Sequence, residues 1–573
     1  MITIAFDAKK NRFHITSPFN MSETIRDIPN RRWDGKNRIW SVPAIKSNVE
    51  YIHKYMSLGA GFVGDAREVL QGMVAKFEAK KNGAVEAKFP SWYPFKTEPR
   101  QKQMEALHKV YDMDSVALFM DMRTGKTKVI IDLASAKRMQ AYVERVLIVC
   151  PLSIRKNWLR EIDIHAPFPV DAYLLDTSKP KDFSKWMNTK HDFKWLLVGV
   201  ESLAAGSAMK YAEEFVNSSM KTMCVVDESS KIKGHSANRA KNCVKLGRRS
   251  SHRMIMTGTP ISHGPMDLFM QFEFLDPDII GIGDFYSFKK RYAIMGGYED
   301  KQIVGYQNID ELMEMLEPFV FQVRKDEVFP DAPKKVYLRR ETQLTDKQRV
   351  LYRQVKREGL VEMGDQTMIV QNALEKMLRL QEITGGSISF KTDPETEALT
   401  KKKYVRRRIE GGNPKLSELL EVVEEYVGST IIWCAFREEI AIVSEALRKE
   451  YGEDQVVELH GDVDEVTRDY NVNTAFQGGT ARFLVGNTAT GGMGLTMHKA
   501  ENEIYFSNSF NYTDREQSEE RAFGPHKKNG TVIIDIVAEN TVDEHILEAL
   551  TQKKDVSEYV RSTIDTLKEK LYE

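Results

Sequence analysis

The chain has 573 residues, and at roughly 100–200 residues per domain that length asks for three to five folding units. Hydrophobic residues make up 42% and charged residues 29%, which excludes a disordered, collagenous or coiled-coil chain. Lys plus Arg equals Asp plus Glu at 83 each, so no global field pulls the chain onto nucleic acid, and any such affinity must come from local basic faces.

Ile2, Ile4 and Phe6 alternate with polar or small residues, AKKN makes a turn, and Phe13 and Ile15 alternate again, which predicts a β-hairpin. This start is charged too early for a secretory signal, and no apolar run approaches the ~20 residues that cross a bilayer. The expectation is a cytoplasmic protein, nuclear if the source is eukaryotic, with no membrane partner. Next comes DIPNRRWDGKNRIWSVP, with Trp33 and Trp40 on either side of a basic turn, and then helical apolar spacing over 49–77. Residues 1–90 therefore read as a small α+β module.

Over 91–330, apolar strand-like runs at 116–120, 145–150, 195–200, 222–227 and 254–258 alternate with helical segments. Unbroken apolar runs of this kind are buried parallel strands. The pattern returns over 413–552, with runs at 430–436, 455–459, 482–487, 503–508 and 531–537. The fold class is α/β: two parallel sheets, each with helices on both faces. Between them, 331–412 reads as a helical, charged linker or brace, and 553–573 as a closing helix. Cys150, Cys224, Cys243 and Cys434 are scattered, with no CxxC or Cys/His cluster, so reduced thiols and no zinc are expected.

The sharpest chemical signal is MDMRTGKTKVII at 120–131, after one strand and opening a helix. Gly125 lets backbone N–H groups approach phosphate oxygens. Lys126 can reach a terminal phosphate, and Thr127 can hold Mg²⁺ at the positive end of the helix. The first glycine of the full P-loop pattern is absent, with Met120 in its place. Farther on, MCVVDESSKIKG puts Asp227 and Glu228 at a strand end. Asp227 beside Thr127 would complete an oxygen shell for Mg²⁺, and Glu228 would orient or deprotonate the attacking water.

With these two motifs in hand, the chain resembles a superfamily-two helicase of the Snf-type DNA translocase family over about 93–550. EPRQKQMEAL resembles its Q motif, which implies that Gln101 reads the adenine edge. VLIVCPLSIRKNW and VESL resemble motifs Ia and Ib, and DESSKIKG resembles motif II with Ser230 where many relatives have His. MTGTPI resembles motif III. FQVRKDEVFPDAPKKV and KMLRLQEITGG resemble the stretches after lobe one and before lobe two. IIWCAFREEI, ELHGDVDEVTR, GNTATGGMGLTM and REQSEERAFG resemble motifs IV, its follower, V and VI.

The resemblance implies two RecA-like lobes that bind ATP and Mg²⁺, with Arg123, Thr124, Gly125, Lys126 and Thr127 on the nucleotide. It also implies that Thr257, Thr259, Thr488, Gly491 and Gly492 face the nucleic-acid backbone, and that Gln517 and Arg521 reach the nucleotide from lobe two. The family's second motif VI arginine is replaced by Gly524. Either Arg521 acts alone, or His526 or Lys527 substitutes, or turnover is weak.

DIPNRRWDGKNRIWSVP resembles the HARP module of annealing helicases, which implies that Arg31, Arg32, Trp33 and Lys36 meet DNA at a fork or four-way junction. Core packing is the better reading of Trp40. The run Lys401, Lys402, Lys403, Arg406, Arg407 and Arg408 is either a solvated surface or a brace on duplex phosphates. His460 reads as a loop-packing residue. The resulting expectation is a monomeric, ATP- and Mg²⁺-dependent translocase on duplex and branched DNA, from a phage or bacterium. Its rivals are an RNA- or single-strand-dependent helicase and an ATP-gated DNA clamp with weak hydrolysis.

Overall fold

The computed structural model describes the chain except for residues 1, 8–11, 19–24, 27, 29–30, 45, 58, 83–88, 192, 205, 262–263, 298–301, 332–334, 359, 364–365, 370–372, 392–403, 489–496, 523–529 and 553–573. Gly491, Gly492, Gly524, His526, Lys527, Lys401, Lys402, Lys403 and the expected closing helix therefore lie outside the described residues. Two compact units are present, Met1–Val328 and Phe329–Asp555.

The first unit opens with a five-stranded sheet in the order Arg32–Asp34, Ile39–Pro43, Arg12–Thr16, Thr3–Asp7, Gly61–Val63. The alternation of Ile4, Phe13, Ile15 and Val42 puts all four on one face. There they pack with Val49 and Ile52 from helix Lys46–Ser57 and Leu70 from helix Ala66–Asn82. The opposite face presents Ala5, His14, Ser41 and Arg32 in one cross-strand row. The apolar spacing over 49–77 is thus two helices, interrupted by a short strand that pairs in parallel with Thr3–Asp7.

The rest of this unit is a seven-stranded sheet whose paired strands all run parallel. Its order is Val320–Val323, Ser115–Met120, His252–Thr257, Thr222–Asp227, Arg145–Cys150, Lys194–Gly199, Asp171–Leu174. Two apolar cores, one around Phe272 and Phe215 and one around Ile130 and Trp195, cover its two faces. In the second unit a six-stranded parallel sheet runs Val336–Thr342, Val532–Ala538, Asn502–Tyr505, Thr430–Trp433, Phe483–Gly486, Val456–Leu459. Both are RecA-like lobes, parallel sheets flanked by helices.

The reading of 331–412 as a helical brace needs correction. Val336–Thr342 is the edge strand of the lobe-two sheet, paired over its whole length with Val532–Ala538. Its partly solvated VYLRRET has an apolar first half and a charged second half, which hides it from a search for unbroken apolar strands. The segment also holds two hairpins, Leu360–Met363 with Gln366–Ile369 and Ser387–Lys391 with Tyr404–Arg408. All four cysteines are buried and unpaired. Among the described residues no helix is long and apolar enough to cross a membrane.

Lobe two is fastened by one arginine. Arg515 Nη1 donates to Asp535 Oδ1 and Asn508 Oδ1 at 2.6 Å each, and Nη2 to Asp535 Oδ2 at 3.0 Å. Its Nε donates to Glu519 Oε1 at 2.7 Å, and the guanidinium lies 3.5 Å from the Tyr505 ring centroid. Glu519 also meets Lys335 Nζ at 3.1 Å and the Tyr337 hydroxyl at 2.8 Å. Removing one partner strands the others without charge compensation, so Arg515→Met should destabilise this unit by about 3–5 kcal/mol. An earlier urea transition is the expected reading, and an unchanged midpoint would show that the network contributes little.

Candidate active site

A parallel sheet delivers every strand's carboxyl end to one edge, which is where such folds build ligand sites. In lobe one that edge collects three loops side by side. Met120 leads into the GKT turn, Thr257 into motif III, and Asp227 into motif II, with the strand of Thr257 between the other two. The two outer strands are thus about 10 Å apart, two ladder spacings.

The turn before helix Lys126–Met139 is held in a shape few residues adopt. Gly125 has φ 93°, and Arg123 has φ 67° without glycine's freedom. A Cβ on Gly125 would collide with the Gln103 side chain. Thr124 Oγ1 donates to Asp121 O at 2.7 Å and ties the turn to its base. Lys126 Nζ donates to Met120 O at 2.6 Å and Asp121 O at 3.1 Å, so its ammonium caps the loop over the strand end. Thr127 is half-buried at the first turn of the helix.

Asp227 is buried. Its Oδ2 accepts from the Trp158 indole N–H at 2.9 Å and its Oδ1 from the Glu228 backbone N–H at 2.9 Å. Burial, then the neighbouring Glu228 charge, pushes the Asp227 carboxyl well above the ordinary carboxylate range, while Trp158 and Lys126 pull the other way. Glu228 sits at φ 50°, a left-handed conformation uncommon for a non-glycine residue, and accepts from Thr257 Oγ1 at 3.2 Å. Thr259 N–H in turn donates to Thr257 Oγ1 at 3.1 Å. The buried hydroxyls of Ser230 and Thr259 have no partner among the described residues. An ammonium, a hydroxyl and a buried carboxylate at one edge fit a nucleotide phosphate with a divalent cation, which Thr127 and Asp227 would hold.

Residues 82–386 match the model of the SNF2-related domain, and 414–523 match that of the helicase conserved C-terminal domain. The chain belongs to the SNF2-related family. Among curated relatives, TATA-binding protein-associated factor mot1 of Aspergillus fumigatus is 26% identical over 72% of this chain and 23% of its own length. YwqA of Bacillus subtilis, named as an ATP-dependent helicase/translocase, is 23% identical over 87% of this chain and 52% of its own. The chain thus spans about a quarter of the first and about half of the second. The SWI2/SNF2 ATPase core of Sulfolobus solfataricus in complex with dsDNA is 21% identical, covering 82% of this chain and 97% of that one, with a TM-score of 0.38.

As an SNF2-family member the chain carries an ATP-hydrolysing helicase core, and three expectations about its site change. Gln101 is exposed and donates to Glu105 Oε1 at 3.1 Å, away from the turn. Gln103, two residues on, is buried: its Nε2 donates to Gly125 O at 3.1 Å and its Oε1 accepts from Arg100 N–H at 2.8 Å. Helix Gln101–Val110 turns about 200° between those positions, so only one glutamine can face inward. Thr257 and Thr259 are not free for nucleic acid either, since both are buried and the Thr257 hydroxyl is spent on Glu228. They link motif III to motif II.

In lobe two, Gln517 and Arg521 are buried at and just past the end of helix Tyr512–Glu519, and Thr488 is buried after strand Phe483–Gly486. In the module, Trp33 is 52% exposed and pairs across strands with Trp40, the two rings tilted by 51° with centroids 4.9 Å apart. Arg31 reaches over the Trp40 ring and donates to Ile28 O, whereas Arg32 and Lys36 are exposed. His460 bonds within its own loop, to Glu458 and the Asp462 N–H.

Sequence reading missed Trp158 and Gln103. Trp158 carried no signal beyond an apolar position in an amphipathic helix. Gln103 is visible only in hindsight, as the glutamine whose helical phase matches buried Ala106, Leu107 and Val110. Gln103→Ala should loosen the turn and raise the KM for ATP about tenfold, the worth of roughly one net hydrogen bond. Gln101→Ala should leave it unchanged. Equal effects in steady-state ATPase assays would show that the two glutamines were wrongly separated.

Proposed function

We propose that the chain is an ATP- and Mg²⁺-dependent motor on duplex DNA that remodels branched DNA by fork regression, branch migration or strand annealing. The observation that carries this reading is the direct bond from Thr257 to Glu228, which ties the P-loop lobe's water-activating carboxylate to the neighbouring motif. A change at motif III is felt at the hydrolytic carboxylate through one hydrogen bond. The bound cation supplies charge neutralisation on the phosphates. Lys126 holds the terminal phosphate, Glu228 accepts the proton of the attacking water, and the motif VI resemblance assigns Arg521 to stabilise developing charge.

The duplex substrate is supported by the family and by the dsDNA bound to the Sulfolobus core. The branched substrate is supported by the module at residues 1–90. Its paired Trp33 and Trp40 share one sheet face, with Arg31 over the Trp40 ring and exposed Lys36 in the turn between them, a surface on which an unpaired base can stack while cations meet phosphates. A phage or bacterial source and a monomeric state belong to the same reading.

Phosphate release by the full chain with single-stranded, blunt duplex, forked and four-way DNA tests it. Stimulation by blunt duplex and further stimulation by branches are expected, and stimulation by single strands or RNA alone would overturn it. Glu228→Gln should bind ATP and DNA yet lose turnover by about 10²-fold or more, because only proton acceptance is removed. Arg521→Ala should lower DNA-stimulated turnover by about 10³-fold while sparing ATP binding. Near-normal activity would move that role to another cation.

A further inference from the structure

Lobe two holds a cavity of about 410 Å³ that none of the helicase motifs uses. It opens where Val336–Thr342 and Val532–Ala538 end level with one another, Thr342 opposite Ala538. Helix Asp346–Glu358 supplies one wall. Arg349, Arg353 and Lys356 are four and three residues apart, so they share a helical face, and all three line the cavity. Asn540, with φ 57°, and Thr541 form the other wall. Buried Tyr352 lies against both, its hydroxyl accepting from Val542 N–H at 2.7 Å.

The charge balance is positive. Against three cations the lining has one carboxylate, Glu539, which lies 3.5 Å from Gln343 Nε2. Arg349 meets Asp346 at 3.6 Å and donates to Leu344 O. Arg353 and Lys356 have no hydrogen-bond or ion-pair partner among the described residues. By contrast Arg339, Arg340, Lys347, Arg379, Arg408 and Lys415 of the same unit each meet a carboxylate. Two cations left unpaired in a concave site, beside side-chain amides of Gln343 and Asn540, are what a phosphate group needs.

We propose that this cavity seats a backbone phosphate of the nucleic acid on which the motor moves, an inference that rests on the duplex-DNA reading above. Two features favour a backbone over a free nucleotide. Apart from Leu344, the apolar lining is Tyr352, which is buried with its hydroxyl engaged, so no slot for a base is present. The cavity also lies on the carboxyl edge of the lobe-two sheet, the edge that carries Thr488. A strand tracking along that edge meets it without any base being read.

The test uses the full chain and a labelled blunt duplex of mixed sequence, with anisotropy titrations at several KCl concentrations. The double variant Arg353→Ala/Lys356→Ala should bind more weakly and flatten the slope of log K against log salt by about 1–2, since each phosphate contact contributes about 0.9. Arg353→Lys/Lys356→Arg keeps the charges and should keep the slope. Arg357→Ala, which removes a cation of the same helix outside the cavity, should change it by less than half as much. A wild-type slope in the double alanine variant, or an equal change from Arg357→Ala, overturns the inference. So does a second saturable site for a fluorescent ATP analogue in Lys126→Ala that disappears with Arg353 and Lys356. Failure of the unsubstituted chain to bind duplex at any salt would instead overturn the duplex-DNA reading itself.

Discussion

Two adjacent carboxylates at a strand end, Asp227 buried and Glu228 half-buried, are the constraint around which lobe one is organised. Taking such charges out of water is costly, and each is held by a dedicated donor: the Trp158 indole for Asp227, the Thr257 hydroxyl for Glu228. Those donors stand on two further elements, so a helix packed on the sheet and a neighbouring strand are drawn into the site. The strain is local as well, since Glu228 and Arg123 both occupy left-handed backbone conformations at the two loops that meet there. A close approach between loops finishes the arrangement. A Cβ on Gly258 would lie 3.3 Å from the Met122 backbone nitrogen, so motif III is pressed onto the P-loop turn as well as bonded to motif II.

Lobe two answers a different demand. It must present polar groups at the end of helix Tyr512–Glu519, and that helix is itself rich in charge. Arg515, Asp535, Glu519 and Lys335 neutralise one another in the interior, and Tyr505 lends its ring face to the guanidinium. The position of Gln517 and Arg521 is therefore set by a buried polar network as well as by apolar packing.

Much of this was legible in the chain. Five strands in each lobe followed from unbroken apolar runs, Asp171–Leu174 and Val320–Val323 of lobe one not among them, and the GKT and DE motifs located the site edge. The illegible parts share a physical cause. Val336–Thr342 is an edge strand with partly solvated faces, so its charged second half reads as a continuation of the charged segment that follows rather than as a buried strand. Gln101 and Gln103 are equally good as letters, and only the phase of the helix separates them. The Thr257 hydroxyl is chemically suited to a DNA phosphate or to a protein carboxylate, and only packing decides.

The central claim is that hydrolysis at Asp227 and Glu228 drives movement along an intact duplex. Displacement of a triplex-forming third strand from a blunt duplex by the full chain measures this most directly. The duplex motor predicts release that requires hydrolysable ATP, needs no single-stranded end, and vanishes when Glu228 is replaced by Gln. ATP consumed at a normal DNA-stimulated rate with the third strand left in place would contradict it.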